Sequence, residues 1–327
     1  LRMCNAFSAD AMTTPHLAKC NTPTFYFIGV STRHSSIQSV FPRWSEILGL
    51  GVELAGYDAP LHASPDVYRA IVQHIKADPL ARGGLVTSHK IDLLAACRDI
   101  FDDLDEYAQL CAEVSCIAKS GDRLRGAARD PVASGLAWDH FVPRGHFADS
   151  RGDVLCLGAG GAATAISLYA AVLCPPDERP RRFTVVDIDA GRLNNLQQIH
   201  RQLHTEVVFE YVLNRDPVAN DQLLAQLPAG SLVINATGMG KDRPGSPLSA
   251  ATLFPQDGLV WELNYRGDLD FYHRALAQVA QRKLIVEDGW VYFLHGWSQV
   301  LAEAFALDLT PALFERLAEA AALIRPS

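Results

Sequence analysis

Two side chains in the sequence have the type and the surroundings needed for proton transfer. Lys90 follows an apolar run in GGLVTSHKIDLL, and Asp130 stands in RGAARDPVASG. A lysine just after a buried strand is partly desolvated, which moves its pKa toward neutrality, and a nearby carboxylate orients it and moderates that shift. Most lysines are solvated surface residues. Spacing alone therefore does not decide whether Lys90 transfers a proton or is an exposed surface residue. The two residues are candidates for general acid/base chemistry.

A glycine-rich loop follows the apolar run VLCL and opens an alanine-rich helical pattern. It reads Gly158-Ala159-Gly160-Gly161-Ala162. The first glycine can make a tight turn off a strand, the next permits close approach of a pyrophosphate, and small residues let the helix pack on a sheet. The helix N-terminus then offers free N–H groups and a positive dipole end to phosphates. The strict G-x-G-x-x-G spacing is not kept, so the motif alone is weak. The strand predicted before it and the helix predicted after it support this interpretation.

An acidic residue ends the next apolar run, FTVVDID. Asp187 lies 29 residues after Gly158, which is longer than the usual spacing of about 20 residues, and the insert CPPDERPRR accounts for the difference. A carboxylate at this position accepts hydrogen bonds from an adenosine ribose and repels a 2′-phosphate. Alternatively, Asp187 and Asp189 only cap the turn. Because Arg181 and Arg182 precede the strand, they are expected at its far end, and NAD is favoured over NADP.

A second small-residue loop follows another apolar run. It reads Asn235-Ala236-Thr237-Gly238 and suits a strand end against which a nicotinamide and its ribose lie. An ordinary turn between strand and helix would look the same. Gly289, just before the last helical patterns, is also assigned to the cofactor site.

Apolar runs of strand length alternate with helical patterns along the chain, which predicts an α/β fold. Near-continuous apolar strands between helices in the second half predict a doubly wound parallel sheet covered on both faces. The strand predictions are 25–30, 52–56, 84–87, 154–157, 183–188, 231–235, 259–263 and 284–286. The helix predictions are 44–50, 65–75, 91–97, 104–111, 162–172, 191–204, 271–281, 292–306 and 312–324.

The composition is that of a soluble globular protein with a small-molecule partner. The 327 residues are 49% apolar with a net charge of −8, and no basic run stands out, so nucleic-acid and anionic-membrane partners are not expected. The longest apolar runs are too short to span a bilayer. Seven cysteines without a C-x-x-C pair or a Cys/His cluster at zinc spacing predict reduced thiols, no metal site and a cytoplasmic location. Residues 1–24 are expected to form a loose leader.

Several motifs in order resemble the shikimate/quinate dehydrogenase family over about residues 25–305. They are G-x-x-x-x-H-S from Gly29, V-T-x-x-K ending at Lys90, G-x-x-x-D ending at Asp130, GAGGAA, NAT-x-x-G and the tyrosine of LNYRGD. The resemblance implies a catalytic pair, here Lys90 and Asp130. It also implies an α/β substrate-binding domain of residues 25–130, completed by helices in 290–327, and a Rossmann-type NAD-binding domain of residues 131–289, with the active site in the cleft between them.

The motifs that hold the substrate in the family are altered in this chain. Of the two serines in H-S-x-S-P, Ser35 is kept and the second becomes Ile37, so Ser36 is a candidate for the lost contact. In N-V-T-x-P-x-K the asparagine and threonine are absent, and Thr87 or Ser88 could substitute. A lost hydrogen-bond partner for a bound hydroxyl costs roughly 1 to 3 kcal/mol, so these changes argue against shikimate itself.

Further candidates for the substrate site follow from the same alignment. Ser115 stands where the family has A-V-N-T, and Arg129 is new beside Asp130, where it meets a carboxylate or is a surface residue. Tyr265 matches the family's tyrosine, and Gln299 is the nearest candidate for its C-terminal glutamine, one position off a gapless fit counted back from Phe305. His295 lies one helical turn before Gln299 and could share its face or be buried in the core.

The leading hypothesis is an NAD-dependent dehydrogenase that acts on the secondary hydroxyl of a small cyclic hydroxy acid, such as quinate or a shikimate analogue. It is expected to be a monomer or homodimer. One alternative is a non-catalytic relative that binds a nucleotide for regulation, because the recognition residues are altered. The other is an ordinary NADP-dependent shikimate dehydrogenase, which Asp187 and the altered substrate motifs disfavour.

Overall fold

A computed structural model of the chain describes residues 17–241 and 243–325. The chain divides into two compact units that meet in sequence between Ala127 and Ala128. Each unit contains one six-stranded sheet. The α/β class with a Rossmann-type second sheet, predicted from the sequence, is therefore confirmed.

The first unit has a mixed sheet in the strand order β2-β1-β3-β5-β6-β4. β1 pairs in parallel with β2 and β3, whereas β5 is antiparallel to β3 and to β6. The strands are β1 Thr24–Gly29, β2 Glu53–Asp58, β3 Ala81–Val86, β4 Asp103–Leu104, β5 Cys116–Ser120 and β6 Arg123–Ala127. The helices are α1 Ile37–Leu48, α2 Pro65–Ala77, α3 Lys90–Cys97 and α4 Glu106–Cys111.

The second unit has a fully parallel sheet in the order β12-β11-β10-β7-β8-β9. The strand order reverses between β7 and β10, which is the arrangement of dinucleotide-binding sheets. The strands are β7 Val154–Leu157, β8 Arg182–Asp187, β9 Val208–Leu213, β10 Leu232–Asn235, β11 Leu259–Glu262 and β12 Ile285–Glu287. The helices are α5 Asp130–Phe141, α6 His146–Ser150, α7 Gly161–Leu168, α8 Ala190–His200, α9 Pro217–Ala225, α10 Asp270–Leu276, α11 Val279–Arg282, α12 Trp290–Phe305 and α13 Pro311–Ala322.

Alternate residues of the second sheet enter two different cores. On β7, Val154 and Cys156 pack into one apolar cluster, and Leu155 and Leu157 pack into the other. All four side chains are at most 1% exposed. Burial on both faces explains why these strands appear in the sequence as uninterrupted apolar runs.

The structure also contains elements that the sequence patterns did not predict. β9, an edge strand, was missed because its side chains are only partly buried, and so was the β5–β6 hairpin. The helix predicted from residue 44 begins at Ile37 and includes Pro42 in its first turns, and the predicted helix 271–281 is two helices. Partial burial weakens the hydrophobic periodicity on which such predictions depend.

The predicted domain limits remain predictions. In the division by backbone contacts, α12 and α13 fall within the second unit, whereas the prediction assigns them to the substrate-binding domain by function. Residues 1–16 of the predicted leader lie outside the described residues. Of the remainder, the amide of Cys20 donates a 2.7 Å hydrogen bond to the carboxylate of Asp78.

The described helices are all too short or too polar to cross a bilayer. The six cysteines in the described part of the chain are free thiols.

Candidate functional site

A cavity opens at the carboxyl ends of β7, β8 and β10 in the second unit. It encloses about 700 Å³ of space, part of which is open to solvent. Ligands of doubly wound sheets bind at this place, outside the point where the strand order reverses. Of the residues predicted to bind a cofactor, those that line the cavity are Gly158, Gly160, Asp187, Ala236 and Thr237.

The turn from β7 into α7 requires glycine at its first position. Gly158 has a φ of +108°, and its N–H donates to the carbonyl of Val186 at 2.7 Å. A Cβ atom at Gly158 would lie 2.6 Å from the carbonyl oxygen of Ala236. Gly160 precedes α7, and no atom lies within 4 Å of the place where its Cβ would be. The loop is therefore fixed at Gly158 and leaves open space above Gly160 at the helix N-terminus.

The carboxylate of Asp187 holds this loop. Asp187 is 7% exposed, and its oxygens accept hydrogen bonds from the amide of Ala159 at 2.7 Å and that of Asp189 at 2.9 Å. A carboxylate has about four acceptor positions, so two remain for a ligand in the cavity. Asp189, by contrast, caps α8 through the amides of Gly191 and Arg192. Asp187 therefore stabilises the turn and also lines the cavity, so a role in capping the turn is compatible with a role in binding a cofactor.

The loop after β10 rests on a buried polar network. The Asn235 amide donates to Glu262 at 2.7 Å, and its oxygen accepts from the Thr237 hydroxyl at 2.7 Å. Glu262 also accepts from the main-chain and side-chain N–H groups of Asn264 at 2.8 and 2.7 Å. Asn235 therefore lies under the cavity, where it positions Thr237.

Glu262 is fully buried at the end of β11. Burial raises its pKa to about 7, although the hydrogen bonds from Asn264 and Asn235 act to lower it. The motif analysis did not identify Glu262, since a single acid at the end of an apolar run carries no spacing signal.

Three arginines line the same cavity as Asp187, and the sequence motifs include none of them. They are Arg192, Arg215 and Arg243. Arg215 donates through Nε to the carbonyl of Ile188 at 3.3 Å, which holds it beside the end of β8. The excess positive charge favours a polyanionic ligand. Arg192 could have been identified from the sequence, because it lies in the first turn of the helix that follows Asp187.

The remaining predicted cofactor residues do not line the cavity. Ala159 is buried below the loop, Gly161 begins α7, and Ala162 is the second residue of that helix. Gly289 precedes α12, where its N–H donates to the carbonyl of Asn264 at 3.1 Å. A side chain at Gly289 would meet the main chain of Leu263, so close packing explains this glycine.

In the first unit, three of the predicted substrate residues lie at one edge of the sheet. Thr87 follows β3, and its amide donates to the carbonyl of Ile28 on β1 at 3.0 Å. Ser115 is 1% exposed, and its carbonyl accepts from the amide of Val86 at 2.9 Å. Ser35 follows the end of β1. Because β1 and β3 are parallel neighbours, their carboxyl ends bring these loops to the same edge.

Lys90 is the first residue of α3 and is half-buried. His89, immediately before it, is fully buried, and its Nδ1 lies 3.2 Å from the hydroxyl of Tyr68. The Nε2 atom of His89 has no hydrogen-bond partner among the described residues. Sequence reasoning missed His89 because nothing in its spacing separates it from a surface residue.

The altered serine motif has a packing consequence. Ile37 is fully buried in the first unit, whereas Ser36 is half-buried and immediately precedes α1, with no capping hydrogen bond from its side chain. An apolar side chain enters the core where the family has its second serine, so that contact is not available from Ile37.

The predicted substrate residues of the second unit lie on two helices and one loop. Asp130 is the first residue of α5, and the guanidinium of Arg129 lies 3.5 Å from the carboxylate of Glu303 on α12. Arg129 thus has an acidic partner within the chain. Tyr265 packs on Trp290 and Phe293 with ring centroids 5.2 and 4.9 Å away.

Gln299 is half-buried on α12, one turn after His295. His295 is 8% exposed and stacks on Phe314 with ring centroids 4.0 Å apart. Burial, with the nearby His140, lowers the pKa of His295 to about 4. The structure therefore favours the packing role for this histidine.

Comparison with known proteins reveals relatives over most of the chain. No family model matches it. The shikimate dehydrogenase (NADP(+)) of Methylobacterium radiotolerans is 26% identical over 277 residues, which are 84% of this chain and 88% of that enzyme. Among solved structures, quinate dehydrogenase from Corynebacterium glutamicum in complex with NAD has a TM-score of 0.69 and 18% identity, covering 91% of this chain and 98% of that one.

A second solved structure has the same fold. Shikimate 5-dehydrogenase from Thermus thermophilus, in complex with NADP(H) and shikimate, has a TM-score of 0.66 and 23% identity, covering 91% of this chain and 99% of that one. The curated relative and both solved structures are shikimate or quinate dehydrogenases, the family that the sequence motifs resemble.

Proposed function

We propose that this chain belongs to the shikimate/quinate dehydrogenase family and is a nicotinamide-dependent dehydrogenase that acts on a CH–OH group. Its substrate is a small cyclic hydroxy acid, such as quinate or a shikimate analogue, and the reaction is reversible. The observation that carries the proposal is the cavity at the strand-order reversal, which the glycine loop and Asp187 border.

The residues of the cavity fit a dinucleotide. The N-terminus of α7 directs N–H groups at a pyrophosphate over Gly160, where the structure leaves open space. The free acceptor positions of Asp187 suit the hydroxyls of an adenosine ribose, and Thr237 lies at the far side of the strand-order reversal. A bound nicotinamide supplies the hydride acceptor and donor. NAD is the preferred cofactor because Asp187 repels a 2′-phosphate.

Proton transfer is assigned to Lys90 and Asp130. The hydroxyl proton must leave as the hydride leaves, and in the reverse direction the carbonyl must be protonated. A lysine that is half-buried at the start of a helix can carry this proton, with an aspartate to orient it. Ser35, Ser36, Thr87, Ser115, Arg129, Tyr265 and Gln299 remain the predicted substrate contacts.

NADP is the second candidate cofactor, and a specific observation favours it. Arg192 and Arg215 line the cavity on the side of Asp187, where a 2′-phosphate would lie, and guanidinium groups bind phosphate well. The curated relative from Methylobacterium radiotolerans is named as an NADP(+) enzyme. A cytoplasmic location and a monomeric or homodimeric state are part of the proposal.

The test is a cofactor-reduction assay with NAD and NADP separately against quinate, shikimate and aminoshikimate. The wild-type chain is compared with Lys90→Ala and with the control Lys19→Ala, which removes an exposed lysine. We expect turnover with NAD and one hydroxy acid, lost in Lys90→Ala and kept in Lys19→Ala. Cofactor affinity, measured by calorimetry, is expected to be the same in all three proteins.

Three results would change the proposal. Full turnover in Lys90→Ala would remove Lys90 from the chemistry. A strong preference for NADP with shikimate would establish an ordinary shikimate dehydrogenase. Cofactor binding without turnover of any acid would favour a regulatory protein that keeps the fold for binding alone.

A further inference from the structure

A cluster of four polar side chains lies at the opposite edge of the first sheet from Ser35 and Thr87. Cys20 precedes β1, and Tyr26 is in the first half of that strand. His74 is in the last turn of α2, and Asp78 follows that helix. The motif analysis predicted no metal site, because 54 residues separate Cys20 from His74 and no short spacing marks the set.

The donor atoms of this cluster converge. The Sγ atom of Cys20 lies 3.7 Å from Nε2 of His74, and Nε2 lies 3.9 Å from Oδ2 of Asp78. The three ligand atoms lie within 4.8 Å of one another. The hydroxyl of Tyr26 is 2.8 Å from the same Nε2 and 3.2 Å from Sγ.

A metal ion can engage all of these donor atoms at once, whereas a hydrogen bond at Nε2 engages one of them. The Nε2 atom of a histidine carries one proton or one lone pair, so it satisfies one partner at a time. Here a thiol, a carboxylate and a phenol all face it. One cation among them would satisfy all of these lone pairs together.

The spacing of the donors fits a tetrahedral zinc site. Zinc binds Cys sulfur at about 2.3 Å and His nitrogen or carboxylate oxygen at about 2.0 to 2.2 Å, which puts neighbouring ligand atoms roughly 3.3 to 3.6 Å apart. The observed 3.7 and 3.9 Å are a few tenths of an ångström longer. The third separation, between Sγ of Cys20 and Oδ2 of Asp78, is within 4.8 Å, so metal binding requires the side chains to move closer together.

The charges around the site also suit a divalent cation. Asp78 is 5% exposed. Its oxygens accept hydrogen bonds from the amides of Cys20 at 2.7 Å and Leu80 at 2.9 Å. The ammonium of Lys119 donates to the main-chain carbonyls of Ile75 and Asp78 at 2.6 and 2.5 Å. The carboxylate of Asp78 and a thiolate at Cys20 would together give a ligand charge of −2.

We propose that Cys20, His74 and Asp78 bind one Zn²⁺ ion, with the Tyr26 hydroxyl or a water molecule as the fourth ligand. Binding replaces the thiol proton of Cys20, which is released to solvent. The ion ties the segment before β1 to the end of α2 and stabilises the first unit. It takes no part in the proposed dehydrogenase reaction.

The test is calorimetric titration of the chelator-treated full chain with ZnCl₂. We expect one ion per chain and a melting temperature that rises with zinc concentration, since a ligand that binds only the folded state stabilises it. Loss of an outer-shell partner weakens zinc binding about 10- to 100-fold, so we expect at least about a 100-fold loss in Cys20→Ser and in His74→Gln, which remove ligands themselves. The control His204→Gln removes an exposed histidine and should bind zinc as the wild type does.

Cobalt substitution gives a second readout that reports the sulfur ligand directly. Co²⁺ added to the wild-type chain should produce a thiolate charge-transfer band in the near ultraviolet, and Cys20→Ser should lack it. Cys20 is half-buried, so serine keeps the fold, and circular dichroism of the metal-free variant checks this. The proposal is overturned if the wild type binds no zinc, or if Cys20→Ser binds zinc with unchanged affinity. Neither result bears on turnover with a nicotinamide cofactor.

Discussion

The carboxyl edges of the two sheets are built in different ways. In the second unit the main chain forms the site: Gly158 makes a turn that only glycine tolerates, and buried Asp187 and Glu262 hold loop amides. In the first unit the candidate residues Ser35, Thr87 and Ser115 themselves have no positive φ. The comparison indicates that the cofactor half is constrained by backbone geometry, whereas the substrate half can change while the fold stays the same.

The largest expected effect comes from removing the acid/base chemistry while the cofactor cavity stays intact. Asp130→Asn keeps the shape of the residue at the start of α5 and removes its charge. Because general acid/base catalysis contributes about 10² to 10⁴ in rate, kcat should fall by that factor. Steady-state kinetics measure kcat, and cofactor titration checks that the cavity still binds the cofactor. Equal turnover in the variant would assign proton transfer to another group.

The buried carboxylate under the cavity should make the second unit sensitive to pH. The pKa of Glu262 is raised from 4.5 to about 7 in the folded chain. A raised carboxyl pKa stabilises the fold below pH 4.5, and this contribution is lost as the pH rises to 7. At about 1.4 kcal/mol per pKa unit, wild type should lose roughly 3 kcal/mol of unfolding free energy across that window relative to Glu262→Gln.

Urea unfolding on either side of this window, at about pH 4.5 and about pH 8, followed by tryptophan fluorescence, measures this difference. The side-chain amide introduced by Glu262→Gln does not titrate, so the comparison isolates the one carboxyl group from other pH effects. The same pH dependence in both proteins would show that folding does not raise the pKa of Glu262.

Substitutions of two glycines in one loop should distinguish an effect on folding stability from an effect on cofactor binding. Gly158→Ala places a side chain at φ +108° against the Ala236 carbonyl, and we expect a loss of about 1 to 3 kcal/mol of unfolding free energy. Gly160→Ala, with open space around it, should keep its stability and weaken only cofactor binding. Thermal melts and calorimetry distinguish the two variants. Equal stability of both would contradict the role given to Gly158.

The smallest expected effect concerns the choice of cofactor. Arg192 lines the cavity on an exposed helix turn, so solvent screens its charge and its contribution to phosphate binding is up to about 1 kcal/mol. Arg192→Ala should therefore weaken NADP binding up to about fivefold and leave NAD binding nearly unchanged. Parallel titrations with both cofactors measure the ratio. An equal loss for both would assign Arg192 to the pyrophosphate instead.

Much of the cofactor half was predictable from local sequence. The apolar runs of β7 and β10, the glycine after β7 and the acid that ends β8 are each visible within a few residues, because parallel strands buried on both faces and tight turns restrict residue type locally. The edge strand β9 and the β5–β6 hairpin were not predictable in the same way, since partial burial leaves a weaker pattern.

The sequence by itself determined the α/β alternation, the glycine loop and the order of motifs that resemble the shikimate/quinate dehydrogenase family. Only the tertiary structure decided that Asp187 both braces the loop and lines the cavity, that Arg192 and Arg215 lie beside it, and that Ile37 is in the core. It alone brought Cys20 to His74 and Asp78. The physical reason is that burial and side-chain convergence depend on contacts between residues far apart in the chain, which no short spacing records.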